Sequence, residues 1–114
     1  MTKYLWIGLP LLLASCYYDV ESELYAGCDN PVEVLYSVHV EPVINASCAI
    51  SGCHIDGGSG TGNMETYDGV KAMVDAGTFQ QRTLEQRNMP PSGSLGTCDL
   101  LLLQDWIDQG ALNN

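Results

Sequence analysis

The chain has 114 residues, room for one small domain, and carries fourteen acidic residues against four basic ones, for a net charge of −10. An acidic surface of this kind excludes nucleic acid and anionic lipid as partners held by charge. Five cysteines in so short a chain point to an oxidising compartment, where thiols are normally committed to a bond.

The N-terminal stretch "MTKYLWIGLPLLLASC" supplies a route to such a compartment. Lys3 precedes an apolar run from Tyr4 to Ala14, too short to cross a membrane as a mature helix and shaped like a signal-peptide core. The run closes on Leu13, Ala14, Ser15 and Cys16, which resembles the lipobox of bacterial lipoproteins. That resemblance implies a signal peptide over 1–15, lipid on Cys16, and a chain exported to the periplasmic face of a membrane or to the outer membrane and cell surface. The chain from Cys16 onward keeps all fourteen acidic residues and only Lys71, Arg82 and Arg87 as cations. Its field favours a partner protein with a basic docking face, or serves solubility alone.

Residues 16–33 are acidic and tyrosine-rich, and read as a tether. From 34 to 114 every periodic stretch is helical and no strand-rich run occurs, so the expected class is all-α. A first helix is expected from about Val40 or Glu41, with Pro42 in its first turn and Ser37 as a candidate cap, running into Cys48. Gly57, Gly58, Gly60 and Gly62 then form a glycine-rich loop. No strand precedes it, so it lacks the setting of a phosphate cradle and reads as a flexible excursion. Thr66 caps a second helix with Tyr67, Val70, Met73 and Val74 on one face. "MPP" at 89–91 bars any helix there. The last helix has Thr97 as cap, Asp99 in the first turn, an apolar stripe of Leu100, Leu103, Trp106 and Ile107, and Gly110 at its stop.

The chemistry concentrates in "SCAISGCHIDGG", residues 47–58. Covalent haem attachment uses Cys-x-x-Cys-His, because two thioether bonds fix the ring edge and the adjoining imidazole reaches the iron. Cys48, Cys53 and His54 have that ending, with a gap two residues longer. Gly52 offers the backbone freedom to fold the extra length away. Two other readings stand beside it. Cys48, Cys53, His54 and Cys98 make a four-ligand set for zinc, although thiolates are disfavoured in an oxidising compartment. A plain Cys48–Cys53 disulfide is the simplest, and leaves His54 unexplained.

Taken in order, "VEPVINASC…SGCH…TY…VK…MPPSG…WIDQGALNN" resembles the small class I c-type cytochromes, in particular exported lipoprotein forms, over most of 34–114. The resemblance implies a cytochrome c-like helical domain around one covalent haem c, held by Cys48 and Cys53. It implies His54 as proximal iron ligand, Met89 before Pro90 as the sixth ligand, and electron transfer without bond-making catalysis. His39 is the rival sixth ligand, and an open position would permit small-ligand binding or peroxidase chemistry. Met64 and Met73 read as core filler.

If Cys48 and Cys53 act together, Cys28 and Cys98 remain as a pair; a nested pairing also uses every thiol. A domain this small needs a staple, and haem packed by Val43, Ile44, Leu100, Leu103, Trp106 and Ile107 would supply an apolar centre. The reading from a different class is a haem-free, disulfide-stapled surface lipoprotein with an interaction or assembly role.

Overall fold

Pro42 decides where the first regular helix begins. It has no N–H, and its ring crowds the carbonyl four residues back. In the computed structural model, which describes residues 27–93 and 95–114, the chain meets this with a wider turn ahead of the proline. Tyr36–Val40 form a π-helical segment, closed by the Glu41 N–H on the Tyr36 carbonyl, and α1 runs over Glu41–Ser47 with Pro42 in its first turn. Ser37 does not cap this helix; its hydroxyl donates to the Asn114 carbonyl at 2.9 Å. The expected signal peptide, Cys16 and most of the expected tether lie outside the described residues.

The next helix, α2, covers Tyr67–Asp75, and the Thr66 hydroxyl accepts the Gly69 N–H as an N-cap. A second π-helical segment, Gln80–Glu85, leads to the Met89-Pro90-Pro91 stretch, and α3 spans Thr97–Asp108. The architecture is all-α, with no strand among the described residues. Thr97 is the first residue of α3 rather than its cap; Gly96 holds the cap position and no side chain bonds the helix start. The other end is a Schellman turn. Gly110, at φ +102°, donates to Ile107 at 3.0 Å and Ala111 donates to Trp106 at 2.9 Å.

Three rings form the centre of the core. Tyr36 meets Tyr67 edge-on at 5.1 Å and lies tilted against Trp106 at 5.5 Å, within the range where aromatic pairs attract beyond area burial alone. Each polar tip has a partner where one is needed. Trp106 Nε1 donates to the Leu112 carbonyl at 3.0 Å, and the Tyr67 hydroxyl to the Ala111 carbonyl at 2.8 Å. Ile44, Leu100 and Leu103 are buried as the apolar stripes require, while Val43 and Ile107 are only partly covered. Val34, Phe79 and Leu102 join the core from outside those stripes.

The segment entering the domain is fastened along α3 and the residues after it. Cys28 and Cys98 are disulfide-bonded across 70 positions, and Asn30 Nδ2 donates to the Cys98 carbonyl. Gln109 accepts the Val34 N–H at 2.9 Å and donates to the Val32 carbonyl at 3.1 Å. Asn114 accepts the N–H groups of Tyr36 and Ser37. The fastened region therefore reaches back to Cys28, inside the stretch read as tether. Closing a loop of this size is worth about 4 kcal/mol in the chain-entropy model. The Cys28→Ser/Cys98→Ser variant should lose about that much unfolding free energy, read from urea denaturation of the mature chain under oxidising conditions. Trp106→Ala should cost roughly 3–5 kcal/mol in the same assay.

Candidate functional site

Cys48 sits where α1 stops. Its N–H and that of Ala49 share the Ile44 carbonyl at 2.8 and 2.9 Å. The chain then reverses over Ile50–Cys53, closed by the Cys53 N–H on the Ile50 carbonyl at 3.0 Å, with Gly52 in the third position at φ +80°. A turn of this shape needs a residue that tolerates positive φ there, and the long Cys48–Cys53 gap is taken up in it. The His54 N–H returns to the Cys48 carbonyl at 3.2 Å.

The glycine-rich loop is not an excursion. It folds tightly around the His54 imidazole. Ser59 places its N–H and its hydroxyl on the Gly52 carbonyl, Gly60 donates to the Cys53 carbonyl, and Met64 donates to that of His54. A Cβ at Gly58 would fall 2.0 Å from the Cys53 carbonyl oxygen. One at Gly60 would fall 2.8–3.0 Å from three ring atoms of His54. These glycines permit close approach of backbone to backbone and backbone to ring.

That loop also sets the state of the ring. Nδ1 of His54 lies 3.0 Å from the Thr61 carbonyl and 3.2 Å from that of Gly62. Carbonyls only accept, so Nδ1 carries a proton, and in the neutral ring Nε2 is the nitrogen that keeps its lone pair. This is the tautomer that metal-ligating histidines are held in by a backbone acceptor.

His54, Cys48, Cys53 and Met89 line one cavity of about 670 Å³, within the size range of cofactor and small-molecule sites. Met89 comes from a separate segment. Its N–H and that of Asn88 both bond the Arg82 carbonyl, at 3.2 and 3.0 Å, and Pro90 and Pro91 stiffen the chain beyond it. Met64 is buried in the core and Met73 packs against it, as expected of filler, and both also line the cavity: Met64 bonds the His54 backbone, and Met73 packs against Gly62. His39 does not line it, and its Nδ1 accepts the Leu35 N–H at 2.9 Å.

Three expectations are corrected. The zinc set loses Cys98 to the disulfide, and no group of three or more His, Cys, Asp or Glu among the described residues could hold a metal ion. Cys48 and Cys53 are free thiols and not a disulfide. None of Val43, Ile44, Leu100, Leu103, Trp106 and Ile107 lines the cavity. The apolar faces of α1 and α3 close on the aromatic centre instead, which leaves the cavity to Ile50, the methionines and the prolines. Spacing along helices could not reveal those lining residues, because most lie in turns and in the second π-helical segment.

Burial pushes the Cys48 thiol up to about 11, with Cys53 adding to the rise. It is therefore protonated at neutral pH and inert as a thiolate. Comparison with protein-family models, curated proteins and solved structures finds no match for this chain.

Gly60→Ala should push the imidazole off the Thr61 and Gly62 carbonyls, seen as faster exchange of the Nδ1 proton in ¹⁵N-histidine NMR; an unchanged ring signal would contradict the packing. The raised Cys48 value stabilises the fold below the ordinary thiol range and loses that contribution as pH climbs from about 9 to about 11. The urea midpoint of the wild type should fall more steeply across that window than that of Cys48→Ala.

Proposed function

We propose that this chain is a one-electron carrier, a small c-type cytochrome built on one covalent haem. The observation that carries the reading is the convergence of Cys48, Cys53, His54 and Met89 on one cavity, with the His54 ring already in the metal-binding tautomer. The residues fit the group. Both cysteines are free, and as thioethers they would hold the edge of the ring. His54 Nε2 and the Met89 thioether would hold the iron. Haem, when bound, supplies the one-electron couple.

The chain's own part is to orient and to insulate. The carbonyls of Thr61 and Gly62 increase the basicity of the imidazole through its Nδ1–H. Met64, Met73, Pro90 and Pro91 give the cavity apolar walls, which favour the less charged state of a buried redox centre. His54 is the one histidine in the cavity lining among the described residues, and no carboxylate residue stands beside it there. On this reading, lipid on Cys16 holds the carrier at a membrane in the exported compartment, and its acidic surface meets a basic face of the redox partner.

A second reading, the haem-free stapled lipoprotein with an interaction role, draws on the Cys28–Cys98 disulfide, which stabilises the domain whether or not a cofactor is present. One experiment separates the two. The protein is expressed with a working haem-attachment system, and its oxidised and reduced absorption spectra are followed by a haem-stained denaturing gel. Sharp reduced bands on a stained polypeptide are expected; a colourless, unstained chain would favour the second reading. In the haem-loaded protein, Met89→Ala should lower the reduction potential by on the order of 0.1 V, since axial ligation is the main determinant of that scale. An unchanged potential would remove Met89 from the iron.

A further inference from the structure

We propose that Arg82 is the anion-binding end of the cavity and makes it selective for an apolar ring that carries carboxylate arms; the ring's identity as a porphyrin rests on the haem reading above. The chain's charge is −10, yet among the described residues no Asp or Glu lines the cavity, and Arg82 is the cationic residue in its lining. Lys71 is spent in an ion pair with Asp75, whereas Arg82 forms none among the described residues, Glu85 in the same segment included. The backbone beneath Arg82 is fixed, because its carbonyl takes the N–H groups of both Asn88 and Met89. Thr78, Gln81 and Thr83 stand with it in the lining, so one stretch of wall is made of polar residues and the exposed Arg82, while Met64, Met73 and Pro90 are apolar.

That division describes the ligand. Its body must be apolar to cover the sulfur-rich wall, and one edge must accept hydrogen bonds and carry negative charge. A guanidinium pairs with a carboxylate through two parallel N–H bonds, which fixes direction as well as charge. An acidic domain repels a free dicarboxylate everywhere else on its surface, so a cation at the cavity decides both entry and orientation. Arg82 is therefore a positioning residue: it settles which edge of the ring faces outward, and with it which edge meets Cys48 and Cys53.

The test uses the mature, haem-free chain titrated with metal-free protoporphyrin IX and, separately, with its dimethyl ester, which keeps the ring and both vinyl groups but loses the charge. Porphyrin fluorescence reads binding. The wild type should bind the diacid about tenfold more tightly than the ester, the scale of one charge-assisted hydrogen-bonded pair. Arg82→Gln should bring the ratio close to one by weakening the diacid alone, and Arg82→Lys should restore part of it. Equal affinity of the wild type for both porphyrins, or an undiminished preference in Arg82→Gln, would overturn the role of Arg82 and leave the haem reading standing. Failure of both porphyrins to bind would overturn the inference together with that reading.

Discussion

The His54 imidazole is held by two backbone carbonyls, and the shape of the candidate site depends on that grip. To bring Thr61 and Gly62 onto Nδ1, the chain must turn back on itself within a few residues of Cys53. Only glycine can sit at 58 and 60 while it does so, since any side chain would strike the Cys53 carbonyl or the ring itself. The same loop returns to hydrogen-bond Gly52 and Cys53, so the turn that carries the second thiol and the loop that carries the imidazole's acceptors stabilise each other. The result is a ring whose Nδ1 is occupied, so that in its neutral form Nε2 is the nitrogen with the lone pair.

The domain divides its labour between two regions. On one side, Tyr36, Tyr67 and Trp106 form an aromatic centre, and the disulfide, Gln109 and Asn114 fasten the entering segment across it. On the other, α1 stops at Cys48 and the walls are made from turns, the second π-helical segment and the Met89 stretch. The first region has its large side chains buried and the polar tips of Tyr67 and Trp106 hydrogen-bonded. The second keeps thiols, thioethers and an imidazole around open space.

Charge works on the same division. The chain is strongly acidic, while among the described residues the cavity lining has one arginine and no Asp or Glu. Acidic groups near a redox centre would disfavour electron gain only weakly through water, but inside an apolar cavity their effect would be larger. On the proposed reading, keeping them out of the lining would leave the outer surface to serve solubility and docking.

Much of the helical layout was legible in the sequence, because local rules governed it. Thr66 caps α2, Pro42 lies in the first turn of α1, and Gly110 ends α3, each by backbone geometry that acts within a few residues. The reach of a stripe along α3 was readable too, apart from Leu102. The π-helical segments were not, since they arise from a misfit between a proline or a loop and the adjoining helix. The candidate site was half visible. Cys48, Cys53, His54 and Met89 stand out by residue type and order, whereas the lining role of Met64, Met73 and Arg82 does not. The sequence by itself determined which groups could carry chemistry and which short stretches would be helical, because both depend on near neighbours. Only the tertiary structure decided that Cys28 pairs with Cys98, that the glycine loop encloses a histidine, and that the apolar faces of α1 and α3 close on three aromatic rings and not on the cavity. Those outcomes depend on which distant segments meet, and that is settled by packing.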